Sequence, residues 1–253
     1  MIIKNTSQFV ILLLSMFLPY LTLKYYAKQV ELPNIRELPA INVIPEMIGR
    51  AAEMGAKSLW IPGITSRVDA RVITGLSILT KVAEEIAVKG GQVVCATAVP
   101  VFIPLIEDAT ITGYTAGGHP EYRPDVRFLT DQQFAFCAGV MGIIDRENCQ
   151  ANFFVGGWAD EALPISAAGL AKGAMQIAGD TNMYQLPYFV CTCDYVMIAE
   201  EFLVSGAVLT KDKEQLGGII GADILKYALI VLGILGIIAS IIGSNFIVQI
   251  LSY

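Results

Sequence analysis

Residues 185–201, QLPYFVCTCDYVMIAEE, place Cys191, Cys193 and Asp194 inside an apolar run that ends in Glu200 and Glu201. Two thiolates are half of a zinc site, and structural zinc sites usually space paired cysteines by about two to four residues. The chain has five cysteines and one histidine, His119, and no second pair stands at that spacing. The run instead predicts a buried central strand over Tyr188–Tyr195, with Cys191 and Cys193 on one face and Thr192 on the other. On that reading the sulfurs are structural, and no metal is expected.

The remaining candidates for chemistry are carboxylates that follow predicted strands: Asp131, Asp160, Glu161, Asp180, Asp194 and Glu200. Ligands of open α/β sheets sit outside the carboxyl ends of the strands. A rim of carboxylates there could hold Mg²⁺ or supply an acid–base pair. The plainer expectation is that Asp131, Asp160 and Asp180 cap helix N-termini, where a carboxylate accepts the unpaired backbone N–H groups. Ser66, Arg67, Thr97, Thr181 and Glu201 fall at the same rim. Gly156-Gly157 follows a predicted strand, but neither G-x-G-x-x-G nor G-x-x-x-x-G-K-[ST] occurs, so no nucleotide cofactor is expected. No G-x-S-x-G elbow occurs either, and His119 sits beside Pro120 on a Gly-rich loop.

The elements that must position these residues alternate. A helix opens at Ile44-Pro45 and closes at Gly55; KSLWIPG is a strand stopped by Pro62-Gly63. Ile73, Leu76, Leu79, Val82 and Ile86 recur at steps of three and four and mark an amphipathic helix over Ile73–Val88, ended by Gly90-Gly91. QVVCATAV is a strand, residues 101–112 a helix, and VRFL a short strand. Thr130 and Gln133 stand at capping-box spacing before a helix to Arg146. QANFFVGG, AMQIAG and LPYFVCTCDY read as strands, with helices over DEALPISAAGLAKG and VMIAEEFLVSGAVL. Apolar strands alternating with helices predict an α/β fold: a mostly parallel, Rossmann-like sheet with helices on both faces.

Composition adds a membrane. The chain is 55% hydrophobic and 16% charged, with a mean hydropathy of +0.59; a soluble domain is about 25% charged. Residues 227–253 carry no charge, and Phe9–Leu23 is uncharged before Lys24. A span needs about 20 apolar residues. A signal peptide would require a small-residue cleavage site, whereas Lys24-Tyr25-Tyr26-Ala27-Lys28 follows. The expected plan is an extracytoplasmic tail over 1–8, a transmembrane helix over 9–26 and a linker over 27–43. An α/β domain over 44–218 and a second transmembrane helix over 227–250 follow. Lys24, Lys28 and Arg36 after the first span, and Lys211, Lys213 and Lys226 before the second, place the domain in the cytoplasm of a two-pass cell-membrane protein. An odd number of free thiols fits that compartment. The net charge of −6, without a basic stripe, excludes nucleic acid as a partner.

The stretches YRPDVRFLTDQQFAFCAGVMGIIDREN, QIAGDTNMYQLPYFVCTCDYVMIAEE and QLGGIIGADILKYALIVLGILG resemble an uncharacterised family of prokaryotic membrane-anchored proteins. The resemblance runs from about residue 44 to residue 240. It implies a shared domain plan and brings no activity, cofactor or catalytic residue.

Two functions remain as expectations. In the first, the protein is a membrane-anchored scaffold or assembly protein. Gly233, Gly236, Ser240, Gly243 and Ser244 would form a small-residue helix face, packing on the first span, on another copy in a homo-oligomer, or on other membrane proteins. In the second, a membrane-bound enzyme or nucleotide/Mg²⁺ sensor uses the acidic rim. A transporter is disfavoured, because the apolar stretches Phe9–Leu23 and 227–250 hold no charged residue to mark a pathway.

Overall fold

The structure is a computed structural model, and it describes residues 17, 19–22, 24–25, 38–211 and 213–241. The chain divides into two compact units, residues 35–210 and residues 1–34 with 211–253.

The first unit is an α/β sandwich. In chain order it contains α1 (Pro39–Asn42), α2 (Ile44–Glu53), β1 (Lys57–Gly63), α3 (Ala70–Lys89), β2 (Val93–Thr97) and α4 (Ile103–Ala116). Then come β3 (Asp125–Phe128), α5 (Gln133–Arg146), β4 (Cys149–Gly157), α6 (Ala162–Ala171), β5 (Met175–Asp180), α7 (Leu186–Thr192), β6 (Tyr195–Ile198) and α8 (Glu200–Thr210). The six strands form one sheet in the order β3-β2-β1-β4-β5-β6, and every pairing is parallel. This is the order of the doubly wound dinucleotide-binding fold, and it reverses direction between β1 and β4.

Alternation along the strands divides the core into two layers. Trp60, Cys95, Phe153, Val155, Ile177 and Met197 face the layer built with α2, α3, α4 and α8. Leu59, Ile61, Val94, Ala96, Phe154 and Ala178 face the layer built with α5, α6 and α7. Both sheet faces are therefore buried, which explains strands that read as continuous apolar runs.

Three expectations need correction. The segment read as a linker over 27–43 ends in α1, and Leu38, Ala40 and Val43 are buried in this unit. The segment read as a strand over Tyr188–Tyr195 is mostly the helix α7, entered through Pro187. Leu186, Phe189 and Thr192 are its buried residues, a three-residue step that belongs to a helix and not to the two-residue step of a strand. The true strand, β6, begins at Tyr195 and takes residues assigned to the following helix. Ala199, at φ 50°, then turns the chain into α8. Consequently Cys191 is exposed and Cys193 partly buried, and they do not share a strand face. Burial pushes the Cys193 thiol up to about 12. The expected cap at Thr130 is also displaced: α5 starts at Gln133, and the Thr130 hydroxyl oxygen accepts the Gln132 N–H at 3.2 Å in the loop before it.

In the second unit, α9 (Lys213–Ile241) contains the 23-residue stretch Leu216–Ile238, long and apolar enough to cross a membrane. Among the described residues it is the only such helix. The first span expected over 9–26 falls mostly outside the described residues; those described within it are helical. A Cβ on Gly221 of α9 would collide with the Thr22 hydroxyl and lie 2.7 Å from the Pro19 Cα, so this glycine lets the two segments meet. Gly243 and Ser244 lie outside the described residues.

Candidate functional site at the carboxyl edge of the sheet

The reversal between β1 and β4 is where a doubly wound sheet opens a crevice for its ligand. Here the two strands stay together past that point. Gly63 pairs with Gly157, and the Ile64 and Thr65 N–H groups both donate to the Gly157 carbonyl, at 3.1 and 3.3 Å. The approach needs glycine on both sides. A Cβ on Gly63 would strike the Gly157 carbonyl oxygen, and one on Gly156 would strike the Pro62 carbonyl oxygen. The paired glycines noticed in the sequence thus serve backbone contact between strands.

The helix that follows β1 is closed in the same way. In nucleotide-binding proteins of this topology, the N-terminus of that helix receives phosphate. Here Asp69 caps α3, its Oδ1 accepting the Arg71 and Val72 N–H groups at 3.0 and 3.2 Å. A fixed carboxylate already uses the donors that a phosphate would need, and its charge would repel one. Arg71 donates through Nε to Asp69 Oδ2 at 2.8 Å. Its Nη1 lies 3.7 Å from Asp180 Oδ1. The guanidinium crosses over Gly157, where a Cβ would stand 3.1 Å from Arg71 Cζ.

Asp180, at the end of β5, is the centre of this cluster. Its side chain is fully buried. Oδ1 accepts the Thr181 and Asn182 N–H groups at 2.6 and 3.1 Å, and Oδ2 accepts the Trp158 N–H at 3.1 Å. Burial pushes its carboxyl pKa up, opposed by these three N–H groups and by Arg71. The carboxylate therefore ties the loop after β4 to the loop after β5. Glu161, 1% exposed, ties α5 to the same region: Oε2 accepts from Gln133 Nε2 at 2.8 Å and Oε1 from the Ala159 N–H at 3.0 Å.

The other predicted rim residues do not join them. Asp131 and Asp160 are exposed, and Glu200 is exposed in the first turn of α8. Asp194 is on the opposite edge, because β6 begins after it; its Oδ2 accepts the Gln176 N–H at 2.8 Å. Asp131, Asp160 and Asp180 do not cap helices; the N-cap residues of α5, α6 and α7 are Gln132, Glu161 and Gln185, none with a side-chain cap bond. Among the described residues no three His, Cys, Asp or Glu side chains gather as a metal site. The rim consists of two buried loop ties and separate surface carboxylates.

Compared with known families, residues 1–251 match the family described as Domain of unknown function (DUF6754). The chain is a member of the DUF6754 family. No curated protein and no solved structure matches it. In this DUF6754 chain the residues that close the sheet edge, Asp69 and Arg71, were missed by sequence reasoning, which stopped at Ser66 and Arg67. One signal was available: Asp69 stands one turn before the first periodic residue, Ile73, within the reach of a capping carboxylate.

Proposed function

We propose that the protein is a two-pass, membrane-anchored scaffold, its α/β unit on the cytoplasmic side, whose copies associate through α9. The observation that carries this reading is the surface of α9. Tyr227, Ile230, Val231, Ile234 and Ile237 are all more than half exposed, an apolar surface that needs lipid or protein around it. Along it, a Cβ at Gly233 or Gly236 would meet no atom within 4 Å among the described residues. Gly221 is already used by Pro19 and Thr22 of the same chain. Small residues left open on an apolar helix allow close approach of a second helix. The closed β1–β4 crevice and the buried, satisfied Asp180 and Glu161 favour a scaffold over an enzyme or nucleotide/Mg²⁺ sensor at the acidic rim.

The test is particle mass after extraction in a mild detergent. The wild type should run as a multimer and Gly236→Leu as a smaller particle, since leucine preserves insertion but blocks close approach. Gly221→Leu should instead lower the amount of folded protein, because its neighbours are in the same chain. A monomeric wild type across several detergents would refute the proposal.

A further inference from the structure

A cleft of about 590 Å³ opens on the other edge of the sheet, where Val93 starts β2 and Asp125 starts β3. Its size is within the range of small-molecule sites, roughly 300–1,000 Å³. Tyr114, Glu121, Tyr122, Arg123 and Asp125 line it, with the Gly90-Gly91 turn on the far side. A Cβ on Gly90 would meet nothing within 4 Å, so that wall is open space.

The loop that forms the near wall is built stiffly. Pro120 and Pro124 bracket Glu121-Tyr122-Arg123, and proline fixes its own φ. The Tyr122 ring stacks on His119 at 4.8 Å and meets the buried Tyr114 edge-on at 5.5 Å. These two contacts fix the Tyr122 ring in place where it lines the cleft, and a ligand ring can pack against such a fixed ring edge-on or offset.

The charges select the rest of the ligand. Glu121 Oε1 is 2.8 Å from His119 Nδ1. Asp125 is held by Arg127, through Nε at 2.8 Å and Nη2 at 2.6 Å. Arg123, by contrast, is exposed and has no hydrogen bond, ion pair or ring contact among the described residues. Its fork suits a carboxylate or phosphate. The carboxyl end of α3 also lies at this edge, and its dipole disfavours a bare anion. A ligand must therefore gain from the ring contact as well as from the charge.

We propose that this cleft binds a small planar anion, its aromatic ring against Tyr122 and its carboxylate or phosphate on Arg123. This site is independent of self-association through α9. Isothermal titration calorimetry on the full-length protein in detergent tests it with four probes: adenosine monophosphate, anthranilate, adenosine and inorganic phosphate. At least one of the two ring-bearing anions should bind, and which one does separates a phosphate ligand from a carboxylate. Adenosine and inorganic phosphate should each bind at least about tenfold more weakly than that anion. Arg123→Gln should weaken binding by about tenfold or more, the loss of a charge-assisted pair. Arg123→Lys should recover part of it, with particle mass and melting temperature unchanged in both. No binding of either anion up to about 10 mM, a regime weaker than specific recognition, would overturn the proposal. So would unchanged binding to Arg123→Gln.

Discussion

Replacing Asp180 by asparagine should destabilise the α/β unit by about 2–3 kcal/mol. Three backbone N–H groups point at this side chain, two at Oδ1 and one at Oδ2. An amide has one carbonyl oxygen. If that oxygen keeps Thr181 and Asn182, the new NH₂ faces the Trp158 N–H, donor against donor. A buried donor left unsatisfied costs about 1–3 kcal/mol, and a hydrogen bond to a charged group is worth about 1.5–3 kcal/mol. Against this, asparagine carries no charge into a buried position, a relief from the same burial that pushes the Asp180 carboxyl pKa up. The geometric loss exceeds it, because the amide cannot serve donors on both sides. For a unit of this size, 1 kcal/mol corresponds to about 2–4 °C of melting temperature, so a fall of roughly 5–10 °C is expected. The assay is intrinsic fluorescence on heating in detergent. The chain has two tryptophans, and Trp158 stands at the mutated site with its ring 5.3 Å from Phe189. Asp160→Asn, on the exposed neighbour, is the control and should stay within about 0.5 kcal/mol. A melting temperature unchanged or raised in Asp180→Asn would refute the reasoning.

Glu147 carries an acid-side stability term of defined sign. It is paired with Arg127 and with Lys57, at 2.7 Å for the lysine, and Arg127 foremost holds its carboxyl down from 4.5 to about 2. A depressed carboxyl stabilises the fold above its ordinary value, and that contribution is lost as pH falls through about 2; Glu147→Gln should lower stability by roughly 1 kcal/mol at neutral pH and flatten the acid slope. Identical pH slopes for the two proteins would argue against this. Brief treatment with a maleimide should modify Cys191 first, with Cys193 slower because burial keeps it protonated; peptide mapping that finds Cys193, Cys95, Cys137 or Cys149 modified earlier would contradict the structure. Cysteines introduced at Ser7 and Ser252 should react with an impermeant maleimide in intact cells, and one at Lys57 should not; the reverse pattern would invert the proposed orientation.

The sequence by itself determined those elements whose pattern is local and repeated. Ile73, Leu76, Leu79, Val82 and Ile86 announce α3, and the structure extends it by a turn to Ala70–Lys89. The uncharged run after Lys226 announces the second half of α9, whereas the stretch long and apolar enough to span, Leu216–Ile238, begins before Lys226, and alternating strands and helices announce a parallel sheet. A short apolar run was the weak point: residues 186–195 fit either a helix or a strand by composition. Only packing against the second core layer decided for α7, moving Asp194 to the opposite edge and Cys191 to the surface. Tertiary structure alone brought Asp180 beside Trp158 and Arg71, because strand order depends on contacts between residues more than 20 positions apart in sequence, as in the Trp158–Asp180 bond. Sequence periodicity reports which face of an element is buried, not which element covers it. For that reason a rim of carboxylates was legible as a set of positions, while its division into buried ties and exposed charges was not. The cleft at Tyr122 and Arg123 has the same origin: its walls come from the end of one helix and the loop after the next, and they meet only because β2 and β3 are neighbours in the sheet.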